Sequence, residues 1–167
     1  MGSGTREHDE CARPLGRLIA SLGANLLTGG GGGVMRAVSR AYTDYGGARG
    51  SCIGVLPCAS AAERTSLKPG YPNEFVEIVI RTHLPFSGER GTDDLSRNHV
   101  NVLSSDAIVA LPGEAGTLSE IALALRYRKP IVAYAIDAAL LHAVPAAVPC
   151  LSSFGDVERF LRANLRR

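Results

Sequence analysis

Glu120 stands in the stretch "ALPGEAGTLSEI", residues 110–121, where an apolar run ends in Pro-Gly and a second apolar-periodic segment begins. A carboxylate placed there has two readings. In the first, Thr117-Leu118-Ser119-Glu120 is a capping box: the Thr117 hydroxyl accepts from the backbone N–H of Glu120, and Glu120 reaches back to the N–H of Thr117. In the second, Glu120 faces a ligand. Three glycine-rich turns bear on the choice: Gly2-Ser3-Gly4-Thr5; Thr28 followed by Gly29, Gly30, Gly31, Gly32 and Gly33; and Gly113-Glu114-Ala115-Gly116-Thr117. Each stands where a strand should hand over to a helix. Glycine lets backbone N–H groups approach an anion closely, and the helix N-terminus adds a partial positive charge. In a parallel α/β sheet all such turns gather at the carboxyl edge of the strands. A run of five glycines is also compatible with a plain flexible loop. The dinucleotide fingerprint is not met, since Gly29-x-Gly31-x-x-Val34 lacks the third glycine, and no Walker lysine follows.

A cation lies upstream. In residues 88–106, Leu95, His99, Val102 and Leu103 share one helical face, and Arg97, Asn98 and Asn101 are polar. Asp93 or Asp94 can cap the start of that helix. Arg97 is either solvated or aimed along the crevice toward the Gly113–Thr117 turn.

These residues need a scaffold, and the apolar pattern supplies one. Short strands are expected at 24–29, 51–57, 75–80, 106–112 and 129–135. Between the first two, Val34, Ala37, Val38, Ala41 and Tyr45 stripe one face of a helix. Leu118, Ile121, Ala122 and Leu125 do the same after the fourth strand, and residues 154–167 read as a terminal helix. The unbroken apolar run at 106–112 predicts burial on both faces. The alternation implies an α/β fold, a Rossmann-like doubly wound parallel sheet with helices on both faces, as a single nucleotide- or phosphate-binding domain over residues 1–167. Residues 59–73 carry Pro69, Gly70 and Pro72 and read as a surface loop. The first strand reads as truncated: "MGSGT" resembles the turn after a strand, yet only Met1 precedes it. Either the chain lacks that strand or its start is placed too late.

Composition excludes several classes. Hydrophobic residues make up 46% and charged residues 20%, which is the balance of a core-forming chain and not a disordered one. A net charge of +2 is too small to argue for a nucleic-acid partner. No apolar run reaches the ~20 residues of a membrane span. The polar N-terminus has no signal-peptide core, so a cytoplasmic location is expected. Cys11, Cys52, Cys58 and Cys150 form no C-x-x-C pair and have no histidine at zinc spacing; they read as reduced thiols, mostly buried. No metal site is expected.

The residues above resemble the Lonely Guy-type Rossmann proteins, and within them the small branch that includes the molybdenum-cofactor carrier proteins. The likeness runs from Gly2 to about Ala135 and is most specific from Arg97 to Glu120. The signature P-G-G-x-G-T-x-x-E stands here as Pro112-Gly113-Glu114-Ala115-Gly116-Thr117-Leu118-Ser119-Glu120. The glycine-rich turn that ends in methionine stands as Thr28 to Met35. The family's enzymes hydrolyse the N-glycosidic bond of nucleoside 5′-monophosphates with an arginine and a glutamate, and the resemblance places those roles on Arg97 and Glu120. Such cleavage builds positive charge on the ribose, which a carboxylate can stabilise. It requires no cofactor. Two residues depart from the enzymes: Glu114 replaces the second glycine, and Asn98 follows the arginine where they carry lysine. Both lower the local positive charge. The resemblance therefore implies a carrier of a phosphate-bearing, nucleotide-like ligand, with molybdenum cofactor as the named candidate. The alternative is a nucleoside 5′-monophosphate phosphoribohydrolase. It also implies a homodimer or larger homo-oligomer, with neither nucleic acid nor membrane as partner.

Overall fold

The computed structural model describes residues 1–47 and 50–165. Among the described residues, five α-helices intersperse with six short parallel strands. Helix α1 spans Asp9–Ser21, β1 Leu26–Thr28, α2 Val34–Thr43, β2 Cys52–Leu56 and β3 Ile78–Arg81. Then follow α3 at Asn98–Ser104, β4 at Ile108–Ala110, α4 at Ala115–Arg126, β5 at Ile131–Tyr134, β6 at Cys150–Leu151 and α5 at Phe154–Asn164. The expected terminal helix is present as far as Asn164; Arg166 and Arg167 lie outside the described residues.

Side-chain alternation along the strands builds the layers. Val109 and Leu111, with Val132 and Tyr134, point to one face and join Leu15, Leu18, Val38, Val157 and Leu161 from α1, α2 and α5. Ile108 and Ala110, with Ile131 and Ala133, point to the other and join Val102, Ile121 and Leu123 from α3 and α4. Period-two alternation thus gives each strand two buried faces, as the continuous apolar runs require. Helices α1 and α2 pack closely because Gly16 has no side chain: a Cβ there would lie 2.5 Å from the Val38 carbonyl oxygen of α2.

The sheet is not continuous. It consists of two parallel halves, ordered β1-β2-β3 and β4-β5-β6. Met1 to Ser3 form a stub beside β4. The Met1 amine donates to the Val109 carbonyl at 3.1 Å, the Leu111 N–H to Met1 O at 2.9 Å, and the Ser3 N–H to Pro112 O at 2.9 Å.

Several local expectations are corrected. Helix α4 starts at Ala115, with Glu114 as its N-cap residue, so Thr117 lies inside the first turn. Its N–H already donates to the Glu114 carbonyl at 2.9 Å, and the capping box does not form. Neither Asp93 nor Asp94 caps α3. The N-cap position belongs to Arg97, and Asp93 sits in a preceding turn where its carboxylate accepts from Arg90 Nε at 2.8 Å. Of the proposed apolar face of α3, Val102 is buried but Leu103 is half exposed, and Leu95 precedes the helix and is exposed. The loop over 59–73 is mostly exposed, yet it ends on a buried residue, Asn73. The strands are shorter than the apolar runs, β4 covering Ile108–Ala110 and β5 Ile131–Tyr134.

Candidate functional site

The three glycine turns converge. The Ser3 backbone sits between the other two turns, its N–H donating to Pro112 O and its carbonyl accepting from the Val34 N–H at 2.9 Å. Tight spacing enforces glycine at the contacts. A Cβ on Gly33, whose φ is +58°, would lie 2.7 Å from the Thr5 nitrogen, and one on Gly113 would lie 2.8 Å from the Ser3 nitrogen. The Ser3 hydroxyl is occupied within its own turn, accepting from the N–H groups of Thr5 and Arg6 at 3.2 and 3.0 Å. Thr28 likewise braces its turn by accepting from the Gly30 N–H at 3.1 Å.

Asn73 was invisible as a site residue in the sequence. Its N–H donates to Gly30 O at 2.7 Å and its side-chain amide to Gly31 O at 2.9 Å. Tyr71 and Met35 close over Gly31, where a Cβ would meet both at 2.8 Å. The five-glycine run is therefore a braced turn and not a floppy loop. No local pattern around Asn73 signals this role, because the contact spans more than forty residues of chain.

Arg97 is buried, 4% exposed, and its guanidinium lies against Gly29, where any Cβ would overlap it. Nη1 donates to Asn98 Oδ1 at 2.8 Å and stands 3.7 Å from Glu120 Oε1. Asn98 in turn donates to Ser119 Oγ at 3.2 Å, and Ser119 donates to the Gly116 carbonyl at 2.8 Å. Asn98 thus holds Arg97 in place and ties α3 to the start of α4. The arginine is aimed into the crevice and is not solvated. Glu120 lies in the second turn of α4, so its facing charge is Arg97 and not the helix N–H groups.

Among the described residues, three buried polar atoms remain without a partner here, Arg97 Nε, Asn101 Oδ1 and Thr117 Oγ1. All three residues line one cavity of about 1030 Å³, which also takes in Gly2, Gly4, Gly29, Gly116 and Glu120. An unsatisfied buried donor costs about 1–3 kcal/mol, so an acceptor supplied by a ligand would relieve strain already present. At the start of α4, Glu114 makes no side-chain cap. With the Thr117 N–H taken by the Glu114 carbonyl, the Ala115 and Gly116 N–H groups are left without a side-chain acceptor among the described residues. Its φ of −109° is ordinary for any residue, so glutamate there alters the charge of the turn and not its shape. Gly32, Ala115 and Pro112 contribute backbone: Gly32 packs 3.2 Å from Gly4 O through its would-be Cβ, Ala115 opens α4, and buried Pro112 accepts from Ser3.

A family model described as the SLOG cluster4 family matches residues 1–158. The chain belongs to the SLOG cluster4 family. Solved structures share this SLOG architecture. A molybdenum cofactor binding protein from Rippkaea orientalis is 31% identical with a TM-score of 0.70, over 94% of this chain and 87% of that one. The molybdenum cofactor carrier protein from Chlamydomonas reinhardtii is 29% identical with a TM-score of 0.67, over 100% of this chain and 96% of that one. An uncharacterized protein of Archaeoglobus fulgidus is 34% identical over 70% of this chain; the match spans 64% of that relative's length. The structure is of the Rossmann-like α/β class, and the resemblance drawn from Arg97 to Glu120 leads to the branch these SLOG proteins occupy.

Among the described residues, no three His, Cys, Asp or Glu side chains gather as a metal-binding group. Cys11, Cys52 and Cys58 are buried, and Cys150 is exposed. No described helix is long and apolar enough to cross a membrane.

Proposed function

We propose that this protein binds and carries a phosphate-bearing, nucleotide-like ligand, with molybdenum cofactor as the leading candidate. The observation that carries the reading is Arg97, a buried guanidinium whose Nε has no partner and which lines a cavity walled by three glycine turns. A guanidinium and the uncapped N–H groups of Ala115 and Gly116 suit a phosphate monoester. Support for the pterin ligand comes from the two neighbours whose names state that they bind or carry molybdenum cofactor. The cofactor here is cargo. Gly29, Arg97, Gly113, Gly116 and Thr117 would hold its phosphate, and the chain's own chemistry ends at binding. By resemblance the working form is a homodimer or larger, which sedimentation velocity measures directly.

A second reading rests on one distance. Glu120 lies 3.7 Å from Arg97 and lines the same cavity, the pairing a nucleoside 5′-monophosphate phosphoribohydrolase would use. The arginine would hold phosphate or base, and the carboxylate would stabilise positive charge on the ribose or assist water. Against it stand Glu114 and Asn98, which withdraw positive charge from the phosphate side. Incubation with AMP and other nucleoside monophosphates separates the two. The carrier reading expects no free base, with molybdenum cofactor raising the melting temperature. Base release that vanishes in Glu120→Ala would replace it with the hydrolase.

A further inference from the structure

Strand β3 is the outer strand of the first half-sheet. It pairs with β2, and among the described residues no strand pairs with its other edge. Ile78, Val79 and Ile80 are 46%, 41% and 43% exposed, three consecutive β-branched residues open on both faces of the strand. By contrast β4 and β5 are buried along their whole length. Lone edge strands are commonly blunted by a lysine, a proline or a bulge. The segment Glu77-Ile78-Val79-Ile80-Arg81 has neither lysine nor proline, and its register runs without a bulge from Ile53↔Ile78 to Leu56↔Arg81.

The ladder with β2 fixes which main-chain groups face out. The Thr82 N–H donates to the Leu56 carbonyl at 3.2 Å, and Pro57 has no N–H to offer Arg81. By the alternation of a parallel pair, Ile78 and Ile80 turn their N–H and C=O groups toward β2, while Val79 and Arg81 turn theirs to the open edge. A strand meeting that edge must bond to Val79 and Arg81, so it cannot pair one residue out of step.

Charge then selects one register. Glu77 and Arg81 lie two residues either side of Val79, and both are exposed. When two copies pair antiparallel about Val79, each Val79 faces its counterpart, Ile78 faces Ile80, and Glu77 of each copy stands opposite Arg81 of the other. Centring the pair on Ile78 or Ile80 separates those charges, and centring it on Arg81 opposes two guanidinium groups. Opposite charges across an antiparallel pair stabilise it, and like charges do the reverse. Glu77 Oε2 accepts from the Cys52 N–H at 2.8 Å, which holds the carboxylate beside the strand. A carboxylate has acceptor sites enough to take a guanidinium as well.

We propose that the outer edge of β3 is a homodimer interface, in which two copies of this chain pair antiparallel through residues 77–81 about a twofold axis at Val79. The first half-sheet then continues across both copies. A twofold contact has to be self-complementary, and the charges around Val79 are. An apolar peptide from another protein would gain the main-chain bonds but would not account for that symmetry. The proposal rests on the functional reading only for its expectation of a homo-oligomer, and not on what the cavity binds.

Sedimentation velocity of the 167-residue chain over a concentration series is the first measurement. A reversible dimer is expected, with a dissociation constant at least tenfold higher in Arg81→Glu, which sets carboxylates against each other at both ends of the pair. Circular dichroism checks that the variant is folded. Cross-linking is the second measurement, on a Cys150→Ser background because Cys150 is exposed. On mild oxidation Val79→Cys is expected to give a disulfide-linked dimer, since its counterpart sits ~5.5 Å away across a hydrogen-bonded pair. Ile80→Cys should link at least tenfold more slowly, because its counterpart stands two residues, ~7 Å, further along the partner strand. A chain that stays monomeric throughout the series overturns the proposal. So does a dimer indifferent to Arg81→Glu, or one that Val79→Cys does not cross-link. In those two cases the copies meet through another surface, and the expected homo-oligomer stands without this one.

Discussion

Arg97 is held at Nη1 by Asn98 and Glu120, while its buried Nε has no partner. Arg97→Lys keeps the charge but loses the planar fork, so affinity for the phosphorylated ligand should fall at least tenfold by calorimetry, in keeping with about 1.5–3 kcal/mol for a charge-assisted bond. Thr117→Val tests a second orphan. It removes a buried hydroxyl that has no partner, so the free protein should lose no stability while ligand affinity drops. A clear loss of melting temperature in the free variant would mean that the hydroxyl serves the fold. The Met1 ammonium makes a pH prediction. Burial, the largest effect, lowers it, Glu120 partly offsets this, and Arg97 adds to the lowering. The unfolded chain therefore takes up this proton first as pH falls below about 8. Stability from this group is complete above that pH and declines below it, toward the folded-state value. Acetylating the amine should remove that portion of the pH dependence of unfolding.

At the scale of elements, the informative events are helix starts. Helix α4 begins at Ala115 because Pro112-Gly113 ends β4 and Glu114 turns the chain with extended dihedrals. That places Thr117 in the first turn and Glu120 in the second, both on the cavity side. The Glu114 carboxylate is exposed near the same N-terminus without capping it. Glu114→Gln should raise affinity for an anionic ligand two- to fivefold at low salt, fading as salt rises, as expected for about 0.3–1 kcal/mol of screened charge. Helices α1 and α2 depend on Gly16. Gly16→Ala would press a methyl group onto the Val38 carbonyl, and chemical denaturation should show a loss of about 1–3 kcal/mol. The cost belongs to α1–α2 packing, so ligand affinity measured below the unfolding transition should change little.

Across the whole molecule, the candidate site bridges the two halves of the sheet. The Thr28–Gly33 turn follows β1, and the Gly113–Thr117 turn follows β4. Arg97, from α3, touches the first turn through Gly29 and the second through Glu120 and Asn98. A ligand seated there ties together segments that share no ladder. At one hundred times its dissociation constant it should stabilise the fold by about 2.7 kcal/mol. Hydrogen exchange should slow at the carboxyl ends of β1 and β4 together, and protection confined to one half would contradict a site that spans both.

Family resemblance pointed to Arg97 and Glu120 as a pair worth testing. The expected stripe on α4 failed where Ala122 is exposed and Leu123 and Ala124 are buried instead. The sequence by itself determined the α/β class, the two-faced burial of β4 and the stripe that seats α2. Those follow from local periodicity and from residue types at fixed spacing, which the chain carries wherever it folds. Tertiary structure decided the rest. Whether Thr117 capped a helix depended on where β4 stopped. Whether Arg97 was solvated depended on Gly29, nearly seventy residues away in the chain. Asn73 became a brace for the glycine run only when its loop folded back upon it. The division of the sheet into halves depends on which strand edges meet. Strand pairing is long-range, and no local pattern of apolar residues specifies the partner.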